Sequence, residues 1–233
     1  MLDKANRILA LFTPERPELT VVEIAESLKR PRSTVYRIVG SMAEAGFLDQ
    51  DPITGRLRVG MYLAKLGELA RQSTSLQRAT HPIMLQLSET TGELTSLMVP
   101  SGGEGVTVDV IESFHPVKIP GHLGGRFPLH ATAGGKALLA WRPADEIAKA
   151  LEAPLQRSTP RTITSAPRVM KELEQTRLRG YGISLGEWVE DVFAVAAPVR
   201  DHRGRVVAAV GCASPESRWE PRHVKAMTKA VLA

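Results

Sequence analysis

The chain has 233 residues, of which 43% are hydrophobic, so it is long enough for one small and one larger domain that each bury a core. Its formal net charge of +5 favours a polyanionic partner, although a purely electrostatic nucleic-acid binder would carry more charge. No apolar run reaches the roughly 18 to 20 residues of a membrane span. Asp3 and Lys4 accompany an amphipathic helix pattern instead of a signal peptide. We therefore expect a cytoplasmic protein with no membrane partner.

Residues 1–60 have the pattern of a winged helix-turn-helix domain. An apolar stripe predicts a first helix, and Thr20 with Glu23 forms a capping box at the start of a second. Pro31 suits the first position of a third helix, which Gly46 would end. The hairpin pattern that follows predicts the wing.

Polar side chains lie opposite the apolar face of the third helix. The expected DNA-contacting residues are Arg32, Ser33, Thr34, Tyr36 and Arg37 on this helix, with Arg56 and Arg58 on one side of the wing. Such side chains donate to phosphates and purine edges, and the first turns of a recognition helix enter the major groove. A basic run is more often a solvated face. Here, however, no acidic residue lies between Glu26 and Glu44, so positive charge is concentrated where the fold would meet double-stranded DNA.

Two further regions follow the wing. Residues 61–77 have a helical pattern, which we expect to link the domains and to help pair two chains. Residues 78–233 mix strand and helix patterns, which predicts an α+β domain. Strands are expected at 94–99, 106–112, 192–199 and 206–213, and helices up to residue 91 and over 133–141, 144–152, 164–179 and 220–232, with Thr164 as a cap and Gly180 as a stop.

Four motifs, in order and at matching spacing, resemble those of IclR-type transcriptional regulators. They are residues 31–37 (Pro-Arg-Ser-Thr-Val-Tyr-Arg), 130–137 (His-Ala-Thr-Ala-Gly-Gly-Lys-Ala), 179–182 (Arg-Gly-Tyr-Gly) and 196–201 (Ala-Ala-Pro-Val-Arg-Asp). The resemblance covers nearly the whole chain. It implies an amino-terminal winged helix-turn-helix, a GAF-like effector domain with an antiparallel sheet, and homodimers or homotetramers that respond to small metabolites. The chain departs from the family in the turn, where Lys29 and Arg30 replace a glycine and an apolar residue.

The resemblance also implies an effector site. In relatives, backbone amides at the start of a helix hold the carboxylate of the ligand, and the matching positions here are Ala133 and Gly134. Unpaired N–H groups at a helix start attract anions through their geometry and the helix dipole. The alternative interpretation is that the glycines here only permit close packing.

The other positions of the implied effector site indicate how large the ligand should be. Relatives that bind very small keto acids use polar side chains at positions that match Ser184, Ala194, Gly211 and Ala213. Three of these four residues cannot donate a side-chain hydrogen bond, so the pocket should be larger and less polar, and should prefer a larger acid such as an aromatic carboxylate. Candidate walls are Phe127, Leu129 and Leu123, although apolar residues in such strands are more often plain core.

Catalytic and metal sites are the rival interpretations. Residues 130–137 are similar to a phosphate-binding loop, but its first glycine is missing and Ala137 stands where Ser or Thr would hold magnesium. The single cysteine, Cys212, lies in an apolar strand pattern and is interpreted as a core residue. The candidate metal ligands His115, His122 and His130 lack standard spacing. We therefore expect no enzyme activity, no cofactor and no metal.

Together these patterns predict a ligand-responsive transcriptional regulator, acting on a catabolic operon, that binds a pseudo-palindromic operator as a homo-oligomer. The alternatives are a constitutive DNA-binding protein whose second domain only oligomerises, and a small-molecule enzyme. A ligand that binds the native state must raise its melting temperature, which distinguishes the responsive regulator from the constitutive one.

Overall fold

The computed structural model describes residues 2–73, 75–152 and 154–233. The chain divides into two compact units, Met1–Thr74 and Ser75–Ala233. The first unit contains helices α1 (Leu2–Leu9), α2 (Val21–Leu28), α3 (Arg32–Glu44) and α4 (Met61–Ser73), and strands β1 (Glu18–Leu19), β2 (Leu48–Gln50) and β3 (Leu57–Val59). The second contains α5 (Ser75–Thr91), β4 (Leu94–Ser101), β5 (Glu104–Ile111), β6 (Arg126–Phe127), α6 (Ala133–Leu139), α7 (Ala144–Glu152), α8 (Ala166–Arg179), β7 (Gly182–Leu185), β8 (Val192–Arg200), β9 (Val206–Pro215), a 3₁₀ turn (Glu216–Arg218) and α9 (Pro221–Leu232).

The first unit is a winged helix-turn-helix, as predicted. Ile8 of α1, Ile24 of α2 and Val35 of α3 are buried in one apolar cluster, so each helix buries its face against the others. The capping box is present at the start of α2. Thr20 Oγ1 accepts a hydrogen bond from the Glu23 amide at 3.2 Å, and Glu23 Oε2 accepts one from the Thr20 amide at 2.7 Å.

The turn between α2 and α3 forms without the family's glycine. Lys29 has a φ of +51°, which is the left-handed conformation that glycine adopts more readily. The Arg30 amide donates to the Ala25 carbonyl oxygen at 2.9 Å and thereby ends α2. Pro31, expected as the first helical residue, is extended with a ψ of 136°, so α3 begins one residue later, at Arg32.

The wing belongs to a three-stranded sheet in the order β1-β3-β2, of which the sequence did not predict β1. The central strand places Arg58 opposite Glu18 of β1 and opposite Asp49 of β2. Directly opposed side chains in antiparallel strands are close enough to interact. Arg58 therefore has an acidic neighbour on each side.

The second unit is built on a six-stranded sheet in the order β6-β5-β4-β9-β8-β7, with each neighbouring pair antiparallel. This architecture confirms the α+β prediction. The strands β6 and β7 were not predicted, because they span only two and four residues and are too short to show an alternating pattern.

The two faces of this sheet have different roles. One face packs against α5 and α9, with Leu97 against Met84, and with Phe193 and Cys212 against Met227. Burial raises the pKa of the Cys212 thiol, in agreement with its interpretation as a core residue. The opposite face carries α6 and a cavity.

Helix α8 differs from its expected start. Its first residue is Ala166, and Ser165 precedes it without a side-chain hydrogen bond to the helix. Thr164 is not the cap, because its hydroxyl oxygen instead accepts a hydrogen bond from Arg157 Nη2 at 3.1 Å. The helix ends as predicted at Gly180, which has a φ of +87°.

The helical pattern over residues 61–77 falls on two helices, because α4 ends at Ser73 and α5 begins at Ser75. Thr74, which the predicted linker includes, lies outside the described residues. Among the described helices, none is both long and apolar enough to cross a membrane.

Candidate functional site

The exposed face of α3 carries the predicted DNA-contacting side chains. Arg32, Ser33, Tyr36 and Arg37 are all exposed, whereas the valines on the opposite face are buried. Thr34 differs from these residues, because it is half-buried and lines a hollow between α1 and α3. Arg37 has no ion pair among the described residues, so its guanidinium is available to a DNA base or phosphate.

Three other cations of this unit have acidic neighbours. Arg56 Nη1 lies 4.0 Å from Glu23 Oε2, and Arg58 Nε lies 3.9 Å from Asp49 Oδ2. Arg32 Nη2 lies 3.9 Å from a carboxylate oxygen of α2. Exposed pairs of this kind contribute only about 0 to 1 kcal/mol, so phosphates can compete for these cations.

The second unit contains a cavity of about 460 Å³ on the face of the sheet that carries α6. The strand register builds its floor, since Ser184, Ala194, Ala213 and Leu94 pair in one row across β7, β8, β9 and β4. Gly211 lies in the next row of the same face. The four residues expected from the family resemblance therefore share one side of the sheet, and all four line the cavity.

The start of α6 faces the same cavity. The Gly135 amide donates to Thr132 Oγ1 at 2.9 Å, and the Lys136 amide donates to the Thr132 carbonyl oxygen at 2.9 Å. The amides of Ala133 and Gly134 have no hydrogen-bond partner within the described parts of the chain, and both residues line the cavity. Two N–H groups are thus left for an acceptor, as at other helix starts.

The glycines around α6 also permit close packing. A Cβ atom on Gly134 would lie 2.2 Å from Met98 Sδ, and one on Gly182 would lie 2.2 Å from the Ala133 carbonyl oxygen. A Cβ atom on Gly135 would lie 2.4 Å from a backbone oxygen. At Gly134, close packing against Met98 is therefore compatible with an amide that is available to an anion.

The cavity lining is mainly apolar, and its polar side chains are partly engaged. The Ser184 hydroxyl donates to the Ala131 carbonyl oxygen at 3.0 Å, so its proton is already used. Arg126 Nη1 lies 3.2 Å from Glu104 Oε2 at the rim. Phe127 and Trp188 supply aromatic surface. Apolar walls with few polar groups suit a small organic ligand.

Two of the expected walls are corrected. Leu129 packs against the buried side chains of α6 instead of lining the cavity, and the Leu123 side chain is 66% exposed. The alternation that places Phe127 in the cavity ends with β6, so it does not extend to Leu129. Ser96 and Met98 also line the cavity and were not predicted, although they alternate with Leu94 along β4. Residues 119–122 and 188–189 line the cavity as well and were not predicted as part of it.

Lys136 of the motif at 130–137 has a structural role. Its side chain is 1% exposed, and Nζ donates to Glu187 Oε1 at 2.6 Å and to the Ile183 carbonyl oxygen at 2.8 Å. Burial raises the pKa of Glu187, an effect that Lys136 partly opposes. Glu172 lies 3.6 Å from the same ammonium group. Lys136 is therefore directed into a buried ion-pair network and not toward a phosphate.

The three histidines considered as metal ligands lie in different surroundings. His130 is buried and its Nε2 lies 3.1 Å from the Gln156 carbonyl oxygen, and burial lowers its pKa. His115 lies near Glu93, while His122 lines the cavity. Within the described residues, no group of three or more metal-ligating side chains is present.

Comparisons with known proteins cover both units. Residues 1–52 match the family described as the IclR helix-turn-helix domain, and residues 69–233 match the family described as the bacterial transcriptional regulator IclR C-terminal. The chain is 33% identical to the HTH-type transcriptional regulator XynR of Escherichia coli, over 93% of this chain and 86% of XynR. It is 31% identical to the HTH-type transcriptional repressor AllR of Klebsiella pneumoniae, over 94% of this chain and 81% of AllR.

A solved structure is similar over the same extent. An IclR homolog from Microbacterium hydrocarbonoxydans, crystallised in complex with 4-hydroxybenzoate, has a TM-score of 0.83 and 27% identity, covering 99% of this chain and 95% of that one. The matched families and relatives are transcriptional regulators and not enzymes. The chain therefore belongs to the IclR family of DNA-binding transcriptional regulators.

Proposed function

We propose that this protein represses a catabolic operon, and that an aromatic or similarly apolar carboxylate bound in the cavity changes its affinity for the operator. The observation that carries this proposal is the cavity of about 460 Å³, with small residues on its floor. At one end it has two amides that no described residue engages in a hydrogen bond. A carboxylate would accept from the amides of Ala133 and Gly134, while Ala194, Gly211 and Ala213 leave room for a ring.

Relatives support the two halves of the proposal separately. The homolog from Microbacterium hydrocarbonoxydans was crystallised with 4-hydroxybenzoate, which is an aromatic carboxylate. AllR of Klebsiella pneumoniae is a repressor, which supports repression as the direction of control here.

We propose that α3 and the wing make the contacts with DNA. Arg32, Ser33, Tyr36 and Arg37 would enter the major groove, while Thr34 would contribute from the side of the helix. Arg56 and Arg58 would contact phosphates. Because one winged domain binds a half-site weakly, we propose a homodimer or homotetramer, with half-sites about 34 to 36 Å apart or a multiple of that distance.

The competing function is a constitutive DNA-binding protein whose second unit only oligomerises. Thermal unfolding in the presence of 4-hydroxybenzoate, benzoate, glyoxylate or pyruvate distinguishes a ligand-responsive regulator from this constitutive protein. We expect the aromatic acids to raise the melting temperature and to change the affinity for an operator selected from random duplexes. No shift with any acid favours the constitutive protein, and preferential binding of glyoxylate or pyruvate contradicts the proposed ligand class.

Light scattering on the same samples tests the assembly. A dimer or tetramer at micromolar concentration agrees with the proposal. A monomer that still binds the selected operator tightly contradicts it.

A further inference from the structure

We propose that Glu93 and Arg218 form a positioning pair that fixes residues 112–125, and with them one wall of the cavity. The effect of this pair on ligand affinity rests on the proposed function. Its effect on the position of residues 112–125 does not depend on a ligand.

Glu93 is a buried carboxylate with a specific partner. It directly precedes β4, and its side chain is 1% exposed. Arg218 Nε donates to Glu93 Oε1 at 2.7 Å, and Arg218 Nη2 donates to Glu93 Oε2 at 2.6 Å. This two-bond geometry fixes the plane of the guanidinium group as well as its position.

The third contact of Arg218 reaches the segment itself. Arg218 Nη1 donates to the Val117 carbonyl oxygen at 2.7 Å. One rigid guanidinium group therefore joins the carboxylate at the start of β4 to the backbone of the segment. His115 and His223 also approach Glu93, with Nε2 at 4.0 Å and 3.1 Å from Oε1, but neither forms a hydrogen bond with it.

Apolar burial does little to fix this segment. The side chains of Phe114 and Val117 are 71% and 69% exposed, and that of Leu123 also points to solvent. Polar contacts therefore keep the backbone in place. The Phe114 amide donates to the Gly92 carbonyl oxygen at one end, and the Gly124 amide donates to the Thr107 carbonyl oxygen at the other. The contact from Arg218 holds the middle of the segment.

The same segment contributes to the cavity. Ile119, Pro120, Gly121 and His122 follow Val117 closely and line the cavity, as does Leu94, the residue after Glu93. A displacement of Val117 would carry this wall with it. The pair thus joins this wall to the floor of the cavity at Leu94 without contacting the proposed ligand.

Hydrogen exchange of peptides from residues 112–125 tests the attachment. Arg218→Lys keeps a cation beside Glu93 but loses the contact with Val117, and we expect about tenfold faster exchange in this segment alone. The matched control is Arg222→Lys, because Arg222 is fully exposed on α9. Glu93→Gln with Arg218→Gln leaves no unpaired buried charge, and should show the same local effect.

Unchanged exchange in both variants overturns the proposal, and so does acceleration spread evenly over the second unit. We also expect each variant to bind 4-hydroxybenzoate about tenfold more weakly by calorimetry. Faster local exchange with unchanged affinity overturns the link to the cavity. If the wild-type protein binds no carboxylate, the proposed function fails. The hydrogen-exchange result then decides by itself whether the Glu93–Arg218 pair fixes the segment.

Discussion

Lys136, a residue of the helix that borders the cavity, has its Nζ 2.6 Å from Glu187 Oε1, and the lysine side chain is 1% exposed. Removal of one partner from a buried ion pair leaves an uncompensated charge in a poorly solvated site. We expect Lys136→Met to lower the free energy of unfolding by about 3 to 5 kcal/mol. Urea denaturation measures this change, with the exposed Lys149→Met as control. A loss below about 1 kcal/mol would contradict the role assigned to Lys136.

The stability loss caused by Lys136→Met should also depend on pH. Burial already raises the pKa of Glu187 above its usual 4.5, and loss of the Lys136 cation raises it further. Above about pH 4.5 the unfolded chain releases this proton while the folded chain retains it, so folding stability falls as the pH rises toward the folded pKa. We therefore expect Lys136→Met to lower the free energy of unfolding more at neutral pH than near pH 5. An equal loss at both pH values would contradict this expectation.

The local parts of the fold follow from the sequence. Thr20 and Glu23 are three residues apart, so the capping box that starts α2 is visible in the sequence and is present in the structure. Ala194 and Gly211 were expected in the site from the family resemblance, and the register of β8 and β9 places both on the cavity face. Such signals depend on neighbouring residues and on strand register.

Other features depend on contacts that no local pattern encodes. Glu93 and Arg218 are separated by 125 residues, and Lys136 and Glu187 by 51. Their pairing requires the complete second unit, so neither pair could be predicted from the sequence. Leu129 was misplaced for a related reason, because the chain leaves β6 before reaching it.

Arg37 is the strongest candidate for base recognition, because it is exposed on α3 without an ion pair among the described residues. We expect Arg37→Ala to weaken binding to the selected operator by roughly 1 to 3 kcal/mol and to leave folding unchanged. Fluorescence anisotropy with operator and random duplexes measures the difference. Arg168→Ala, which removes the same charge from α8, is the control. Equal losses on both duplexes would show that Arg37 contacts phosphate only.

The wing cations should act without sequence preference. We expect Arg56→Ala with Arg58→Ala to weaken operator and random duplexes alike, and to flatten the dependence of affinity on salt. Asp49→Asn should have the opposite effect, because it removes the acid opposite Arg58. Affinities measured at several salt concentrations test both changes. A loss confined to the operator would instead assign base contacts to the wing.

The residues of the cavity floor differ in whether a larger side chain there would block ligand binding without disrupting the sheet. Gly211 is unsuitable, since a Cβ atom there would lie 2.4 Å from the Val195 carbonyl oxygen and would separate β8 from β9. Ala194 already carries a Cβ atom and lines the cavity floor, so Ala194→Leu adds volume on the face of the sheet where the ring of the proposed aromatic acid would lie.

We expect Ala194→Leu to weaken 4-hydroxybenzoate binding by at least about tenfold, and to abolish its effect on DNA, while operator affinity without the acid stays unchanged. Ala226→Leu, at an exposed position of α9, is the matched control. Calorimetry and anisotropy on the two variants give the comparison. Full retention of binding in Ala194→Leu, with its melting temperature close to that of the wild type, would place the ligand outside this cavity.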